Sequence, residues 1–211
     1  MIRDRIQAGH LLTARLKHLT FENGVVLAIP RGGVPVAAVV AGELNLPLDL
    51  LMSKKIGHPL NAEFAIGSVT VQDVILDEST ADFPRSYVDA EIRKIRDSLS
   101  KRYVSLTNGK TPLTLHGRDV VIIDDGLATG NTMLACVKSV RRQHPHSVTV
   151  AVPVASPFAV EKISATADRF ICLETPALFR AVGECYEDFS EISDESVREL
   201  MTASQSHLKN A

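Results

Sequence analysis

Apolar positions along the chain fall into short continuous runs that alternate with helical spacings. The short runs are rich in Val, Ile and Leu, as is typical of strands that are buried on both faces of a sheet. They predict strands at residues 25–29, 47–52, 120–123, 147–152 and 169–173. Apolar residues three or four positions apart predict helices at residues 3–19, 35–46, 87–106, 131–142 and 157–165. This alternation predicts an α/β fold with a parallel sheet.

Two stretches depart from the alternation. Residues 65–71 and 73–76 have a β pattern without a helix between them. The predicted helix 87–106 is long and highly charged, and it has the character of an insertion. Its predicted apolar face consists of Ile92, Ile95, Leu99 and Val104.

These elements predict one domain over residues 1–211. Its core spans about 20–76 and 117–175, a helical insertion spans about 80–116, and a C-terminal hood or tail spans about 176–211. We expect residues 202–211 to fray.

Composition narrows the class of protein. The net charge of −2 gives no reason to expect a nucleic-acid partner. Cys136, Cys172 and Cys185 are far apart and odd in number, which argues against a disulfide framework or a zinc site. There is no leader-like segment and no apolar run of membrane-spanning length. We therefore predict a soluble cytoplasmic protein without a membrane partner.

The most informative segment follows the predicted strand at 120–123. Asp124 and Asp125 stand where that strand ends, and a glycine- and threonine-rich turn, residues 126–132, leads into a helix. Main-chain N–H groups at a helix start favour phosphate, and paired carboxylates accept hydrogen bonds from vicinal hydroxyls. The implied ligand is a ribose 5-phosphate. The alternative is that the two acids merely cap the next helix.

Two further segments have the composition of anion-binding loops. Arg31 is followed by Gly32 and Gly33, which allow backbone amides to approach an anion; the alternative is a helix-entry turn with a solvated arginine. Residues 53–67 contain Lys54 and Lys55 and are punctuated by Gly and Pro, as in a loop that opens and closes. The alternative for either lysine is a solvated strand end.

These segments resemble the type I phosphoribosyltransferases. The signature from Val120 to Thr132 matches without a gap. The Arg-Gly-Gly-Val-Pro, Glu-Phe-Ala-Ile-Gly and Tyr-Glu-Asp-Phe blocks are similar to those of uncharacterised bacterial phosphoribosyltransferases over nearly the whole chain. The resemblance implies a type I phosphoribosyltransferase-like parallel sheet flanked by helices. It also implies transfer of the 5-phosphoribosyl group of phosphoribosyl pyrophosphate (PRPP) to a nitrogen acceptor, a nucleobase, with release of pyrophosphate.

The same resemblance implies a role for each site residue. Asp124 and Asp125 hold the ribose hydroxyls. The 5-phosphate is bound by Ala128, Thr129, Gly130, Asn131 and Thr132. The pyrophosphate is bound by Arg31, Gly32 and Gly33, in a loop that often contains a cis peptide, here Pro30–Arg31. Lys54 and Lys55 lie on a mobile lid, where they neutralise the departing pyrophosphate, and Glu63 transfers a proton to the base. The catalytic set is therefore Asp124, Asp125, Arg31, Glu63 and Lys55.

The resemblance leaves the acceptor base undecided. Ala128 stands where enzymes for oxopurines place a base-contacting aspartate. Residues 176–189 are similar to the hood that covers the base, which would make Phe179 and Val182 the base pocket; the alternative is a folded tail packed on the sheet. Mg²⁺ is expected to arrive with PRPP rather than at a site made of protein alone, with Asp124 and Asp125 as the candidate protein ligands. The resemblance also implies a homodimer, because relatives usually dimerise.

One alternative function is a sensor that binds PRPP or a nucleotide without transfer, and another is a purely structural protein. A lid that carries Lys54, Lys55 and Glu63 favours catalysis, because a sensor needs no cover that excludes water.

Overall fold

The computed structural model describes residues 1–59 and 61–209, except for the side chains at 61–64, 78–79 and 205–209. Its strands are β1 (Val25–Ala28), β2 (Leu48–Leu50), β3 (Ser53–His58), β4 (Asn61–Thr70), β5 (Val74–Leu76), β6 (Asp119–Ile123), β7 (Ser147–Val154) and β8 (Arg169–Glu174). Its α-helices are α1 (Arg5–Leu16), α2 (Gly33–Leu44), α3 (Arg85–Thr107), α4 (Asn131–Arg141), α5 (Pro157–Ser164) and α6 (Asp194–Lys209). Two 3-10 turns lie at Glu78–Asp82 and Val182–Cys185.

A five-stranded parallel sheet forms the centre of the molecule, in the order β2-β1-β6-β7-β8. Every residue of β1 and β6 is buried. Alternate residues belong to two hydrophobic clusters, with Val121 and Ile123 in one and Val120 and Ile122 in the other. Each strand therefore packs on both faces, which is why its sequence is continuously apolar. The predicted parallel sheet flanked by helices is confirmed.

The proposed lid is a second sheet and not a loop. Strands β3, β4 and β5 pair antiparallel, so the prediction of a loop over residues 53–67 was wrong for 53–58 and 61–67. The β patterns at 65–71 and 73–76 are confirmed as parts of β4 and β5. Strand β3 pairs with β4 alone and has register shifts at Gly57. An edge strand tolerates lysines and glycine, so the apolar alternation that identifies a strand is lost there.

Helix α3 covers the lid sheet. Ile95, Leu99 and Tyr103 are buried on it, whereas Val104 is 52% exposed, so the prediction that Val104 belongs to the apolar face was wrong. At 3.6 residues per turn, Val104 lies about 140° around the helix from Leu99. Tyr103 lies within about 40° of Leu99 and takes that place in the core.

The C-terminal segment forms helix α6, which continues to Lys209, so the prediction that the chain frays from residue 202 was wrong. Val197 and Met201 are buried, and the helix packs on α2 and α3. These two residues are four positions apart, the spacing that places both on one face of a helix. Within residues 1–59 and 61–209, no helix combines the length and the apolar character that crossing a membrane requires.

Candidate functional site

The candidate site lies at the carboxyl ends of β1 and β6. These strands are neighbours, and the chain leaves β1 toward β2 on one side, whereas β6 continues toward β7 on the other. A parallel sheet opens a crevice where its strand order reverses in this way, and ligands bind there. The N–H of Ile29 donates to the carbonyl of Ile123 at 2.9 Å, which holds the two strand ends together. The loops that follow β1 and β6 therefore share one crevice.

Two glycines bring the first loop against the two acids. A Cβ added at Gly32 would overlap Oδ2 of Asp125 and lie 2.5 Å from its carboxyl carbon. A Cβ added at Gly33 would lie 2.8 Å from the carbonyl oxygen of Ile123 and 2.9 Å from Cα of Asp124. The Pro30–Arg31 peptide bond is cis. The structure thus places the Arg31 to Gly33 loop and the paired acids side by side, as their predicted roles require.

The two carboxylates differ in their surroundings. Oδ1 of Asp124 accepts the backbone N–H of Asp125 at 2.9 Å, whereas Oδ2 of Asp125 is held by Arg5. Burial, together with the neighbouring Asp125 charge, raises the pKa of Asp124 well above its ordinary value. The two carboxyl groups also share a side-chain hydrogen bond, so they form one interacting pair.

Arg5 is a site residue that the sequence analysis missed. Its Nε lies 2.9 Å and its Nη2 2.8 Å from Oδ2 of Asp125, and its side chain is almost entirely buried. Arg5 begins α1, and a positive charge in the first turn of a helix opposes the helix dipole. That unfavourable position is the signal in the sequence that points to another partner for Arg5.

The turn after the acids is shaped to present backbone N–H groups. Gly130 has a left-handed backbone, with φ of 70°, and α4 begins at the next residue. The first N–H groups of a helix have no acceptor within it, so they are available to a phosphate. Ala128, Thr129, Asn131 and Thr132 are exposed there, while Gly130 is buried.

Two residues that follow β7, one just before α5 and one within α5, form hydrogen bonds to this turn. Ser156 donates to the carbonyl of Ala128 at 2.5 Å. The ammonium of Lys162 lies 2.7 Å from Oδ1 of Asn131 and 3.2 Å from the carbonyl oxygen of Thr129. Lys162 was also missed by the sequence analysis, because nothing in the local pattern of α5 separates it from a solvated lysine.

The lid sheet places one of its two lysines toward the phosphate turn. A cavity of about 480 Å³ separates the lid from the N-terminal half of α4, and Lys55, Asn131 and Thr132 are among its lining residues. Lys54 points to the other face of the sheet, because successive strand residues alternate. The structure therefore brings Lys55 to this cavity and does not bring Lys54. The side chain of Glu63 lies outside the described part of the chain.

The hood contributes different residues from those predicted. Val182 lies against Gly126, where an added Cβ would be 2.5 Å from Cγ1 of Val182, and Phe179 packs on the hydrophobic core. Beside the acids, a cavity of about 400 Å³ is lined by Arg5, Arg31, Gly32, Asp125, Phe189, Glu191 and Ile192. Arg31 donates to Glu191 across it at 2.6 Å. The hood residues at this cavity are thus Phe189, Glu191 and Ile192, and the roles given to Phe179 and Val182 stay predictions.

The fold and the site together define an α/β protein with paired acids, a glycine loop and a helix N-terminus at the switch point of a parallel sheet. A model of the phosphoribosyl transferase domain family matches residues 4–189. The chain belongs to the phosphoribosyl transferase family, as the sequence resemblance implied.

Similar proteins agree with this assignment. A Mycobacterium tuberculosis H37Rv protein, provisionally named a phosphoribosyl transferase, is 39% identical over 198 residues, which make up 92% of this chain and 45% of that protein. The chain therefore spans less than half the length of this relative. The crystal structure of TT1426 from Thermus thermophilus has a TM-score of 0.87 and 42% sequence identity, with 96% of this chain and 98% of that chain covered. A uracil phosphoribosyltransferase from Legionella pneumophila is 44% identical over 48 residues, which are 23% of this chain and 22% of that enzyme.

Proposed function

We propose that this protein transfers the 5-phosphoribosyl group of PRPP to a nitrogen acceptor and releases pyrophosphate, in the manner of a nucleobase salvage enzyme. One observation carries the proposal. The paired acids and the Arg31 to Gly33 loop lie side by side, with Gly32 packed directly on Asp125, and α4 begins six residues after Asp125. PRPP has ribose hydroxyls, a pyrophosphate and a 5-phosphate. In this proposal the paired acids bind the hydroxyls, the Arg31 to Gly33 loop binds the pyrophosphate, and the N-terminus of α4 binds the 5-phosphate.

In the proposed reaction, the bond between the anomeric carbon and a pyrophosphate oxygen breaks, and its electron pair leaves with pyrophosphate. A nitrogen lone pair of the acceptor forms the new bond, and the acceptor then loses a proton. Positive charge develops on the ribose, so Asp124 and Asp125 both orient the sugar and stabilise that charge. Negative charge develops on the leaving group, where Arg31 and Lys55 act. The turn from Ala128 to Thr132 anchors the 5-phosphate.

The donor set fits the Mg²⁺ that PRPP chemistry implies. Asp124 and Asp125 present carboxylate oxygens, the ligands that this hard cation prefers. Burial and the neighbouring Asp125 charge raise the pKa of Asp124, and a cation bound beside the two acids would offset that repulsion. When bound, Mg²⁺ supplies positive charge to the pyrophosphate and ribose oxygens. We propose that few protein groups hold it directly, since PRPP itself carries oxygen ligands.

The acceptor in this proposal is a nucleobase. Ala128 removes the acidic contact of oxopurine enzymes from the phosphate turn, so the group that transfers a proton to the base has to come from elsewhere, and Glu63 on the lid is our candidate. The cavity beside Asp125 offers Phe189 and Ile192 as apolar contacts. A planar heterocycle is the class of acceptor that such contacts favour.

The decisive experiment measures pyrophosphate release from PRPP with Mg²⁺ and a panel of purine and pyrimidine bases. Asp124→Asn and Asp125→Asn variants serve as tests of the site, and Asp97→Asn, an exposed change on α3, serves as the control. We expect turnover with at least one base, a loss of about hundredfold or more in either site variant, and no change in the control.

Calorimetry with Mg-PRPP separates the other functions. Tight binding without turnover on any base would replace the transfer proposal by a sensing function. Absence of Mg-PRPP binding, with the aspartate variants indistinguishable from the wild type, would contradict both.

A further inference from the structure

The side chain of Arg5 reaches the site because the start of the chain is paired with the hood. The N–H of Ile2 donates to the carbonyl of Cys185 at 3.0 Å, and the N–H of Glu187 donates to the carbonyl of Ile2 at 2.9 Å. Arg5 follows directly, as the first residue of α1. It is 8% exposed, an unusual burial for an arginine, which is rarely buried unless it is paired.

All three types of guanidinium nitrogen have a partner. Nε donates to Oδ2 of Asp125 at 2.9 Å, Nη2 forms an ion pair with the same oxygen at 2.8 Å, and Nη1 donates to the carbonyl of Ser190 at 2.9 Å. The guanidinium carbon also lies 3.9 Å from the centre of the Phe189 ring, within the range of a cation–π interaction. A planar cation with this many fixed neighbours has one orientation, and it imposes that orientation on the carboxylate that it binds.

Asp125 is thereby fixed at both of its ends. Tyr186 donates from its hydroxyl to the backbone carbonyl of Asp125 at 2.7 Å, and Arg5 holds Oδ2 of the side chain. Gly32 packs on the same oxygen. Rotation of the carboxylate, which would exchange Oδ1 and Oδ2, would break both contacts with Arg5.

We infer that Arg5 is a positioning residue, which locks the Asp125 carboxylate in the orientation in which it meets the ribose hydroxyls. This inference rests on the proposed function. Arg5 also brings a positive charge to a pair of adjacent acids, which lets both of them act as acceptors in a small volume. It does not contact the reacting atoms and acts through Asp125.

A double-mutant cycle tests this role. Arg5→Met removes the donors and the charge and keeps an unbranched apolar side chain, and it is combined with Asp125→Asn. Arg5→Lys restores the charge with a single donor group. Arg3→Met is the matched control from the same segment, because Arg3 is exposed and its guanidinium bonds to the neighbouring Asp4. The dissociation constants for Mg-PRPP and for ribose 5-phosphate are measured by calorimetry, and folding is checked by thermal unfolding.

We expect Arg5→Met to weaken binding of both ligands by about tenfold to hundredfold, Arg5→Lys to recover part of that loss, and Arg3→Met to change nothing. In the Asp125→Asn background, Arg5→Met should cost less than about twofold more, because a residue that acts through Asp125 has nothing left to position.

Each other result overturns the inference in an identifiable way. Equal binding by Arg5→Met and the wild type, or losses that multiply in the double variant, refute the positioning role and leave the proposed function intact. If the wild type binds neither ligand, the proposed function fails and the inference fails with it. If Arg5→Met does not fold, Arg5→Lys decides. Unchanged affinity in that folded variant counts against a role that needs both Nε and Nη2 at Oδ2 of Asp125.

Discussion

Gly32 lies so close to Asp125 that there is no room for a side chain at position 32. An added Cβ would fall 2.5 Å from the carboxyl carbon of Asp125, and that carboxylate is held in place by Arg5. The loop after β1 and the acids after β6 are therefore packed as one unit, and neither is able to move without the other.

Gly32→Ala should damage binding more than folding. The new methyl group displaces the Asp125 carboxylate from Arg5, at a cost of about 1–3 kcal/mol for overpacking, and we expect Mg-PRPP affinity to fall about tenfold or more. Gly42→Ala is the control, since no atom lies within 4 Å of a Cβ added there and alanine is the better helix former. Calorimetry and thermal unfolding measure the two effects. Similar affinity in both variants would show that the loop adjusts without cost.

Asp124→Asn should stabilise the protein at alkaline pH. Burial and the Asp125 charge raise the pKa of Asp124, so the fold favours its neutral form. The stability that Asp124 contributes is present below its ordinary pKa and is lost as the pH rises through the raised value. An amide has no charge to lose, so the melting temperature of the variant should exceed that of the wild type at pH 8 and approach it at pH 4.

In a chain of this size, the difference in melting temperature amounts to about 2–4 °C for each ~1 kcal/mol by which the substitution raises the free energy of unfolding. Asp97→Asn, an exposed change, should leave the melting temperature unaltered at both pH values. A difference for Asp124→Asn that grows toward pH 4 would contradict the raised pKa.

Thr70→Val should destabilise the lid sheet where it contacts α4. Thr70 Oγ1 lies 3.0 Å from the hydroxyl of Ser139 on α4, and both residues are buried. Valine leaves the Ser139 hydroxyl and the N–H of Asp73 without this partner, at a cost of about 1–3 kcal/mol. Hydrogen exchange should accelerate at residues 66–76 and stay unchanged in β6. Ser105→Ala, an exposed change on α3, should have no effect, and uniform acceleration across both sheets would refute a local anchor.

Lys162→Met should weaken binding of ribose 5-phosphate by about threefold to tenfold, or ~1 kcal/mol. The Lys162 ammonium bonds to Asn131 and to the carbonyl of Thr129, so it supports the phosphate turn and adds positive charge behind it. Calorimetry at low and high salt measures the effect, which salt should reduce. Lys101→Met is the control, because Lys101 is exposed on α3. Equal affinity in both variants would show that Lys162 does not support the phosphate turn.

The sheet and the acids were predictable from the sequence because their determinants are local. Strand β6 is buried on both faces, so its residues are continuously apolar, and Asp124 and Asp125 are conspicuous directly after it. The glycines at 32 and 33 were noticed for a similar reason, since two adjacent glycines after a strand indicate close backbone contact.

Arg5 and strand β3 were not predictable because their determinants are distant or weak. Arg5 meets Asp125 across 120 positions of sequence, and local periodicity carries no information about that contact. Strand β3 pairs with β4 alone, so its lysines and Gly57 conceal the β pattern. The core position predicted for Val104 is occupied by its neighbour Tyr103, because a shift of one residue along a helix turns a side chain from the core toward solvent.

The contact between Arg5 and the carbonyl of Ser190 joins residues that are 185 positions apart. Translation at roughly 5–20 residues per second delivers Ser190 about ten to forty seconds after Arg5. The acids, the glycine loop and the phosphate turn are complete once Thr132 has been added, 58 residues before Ser190. During those last steps the guanidinium of Arg5 still lacks its Ser190 partner, so the positioning proposed for Arg5 is completed only after the strands of the parallel sheet have been synthesised. A ligand stabilises only a state that binds it, so it contributes nothing to the earliest folding of the sheet and acts only after the chain has closed on itself.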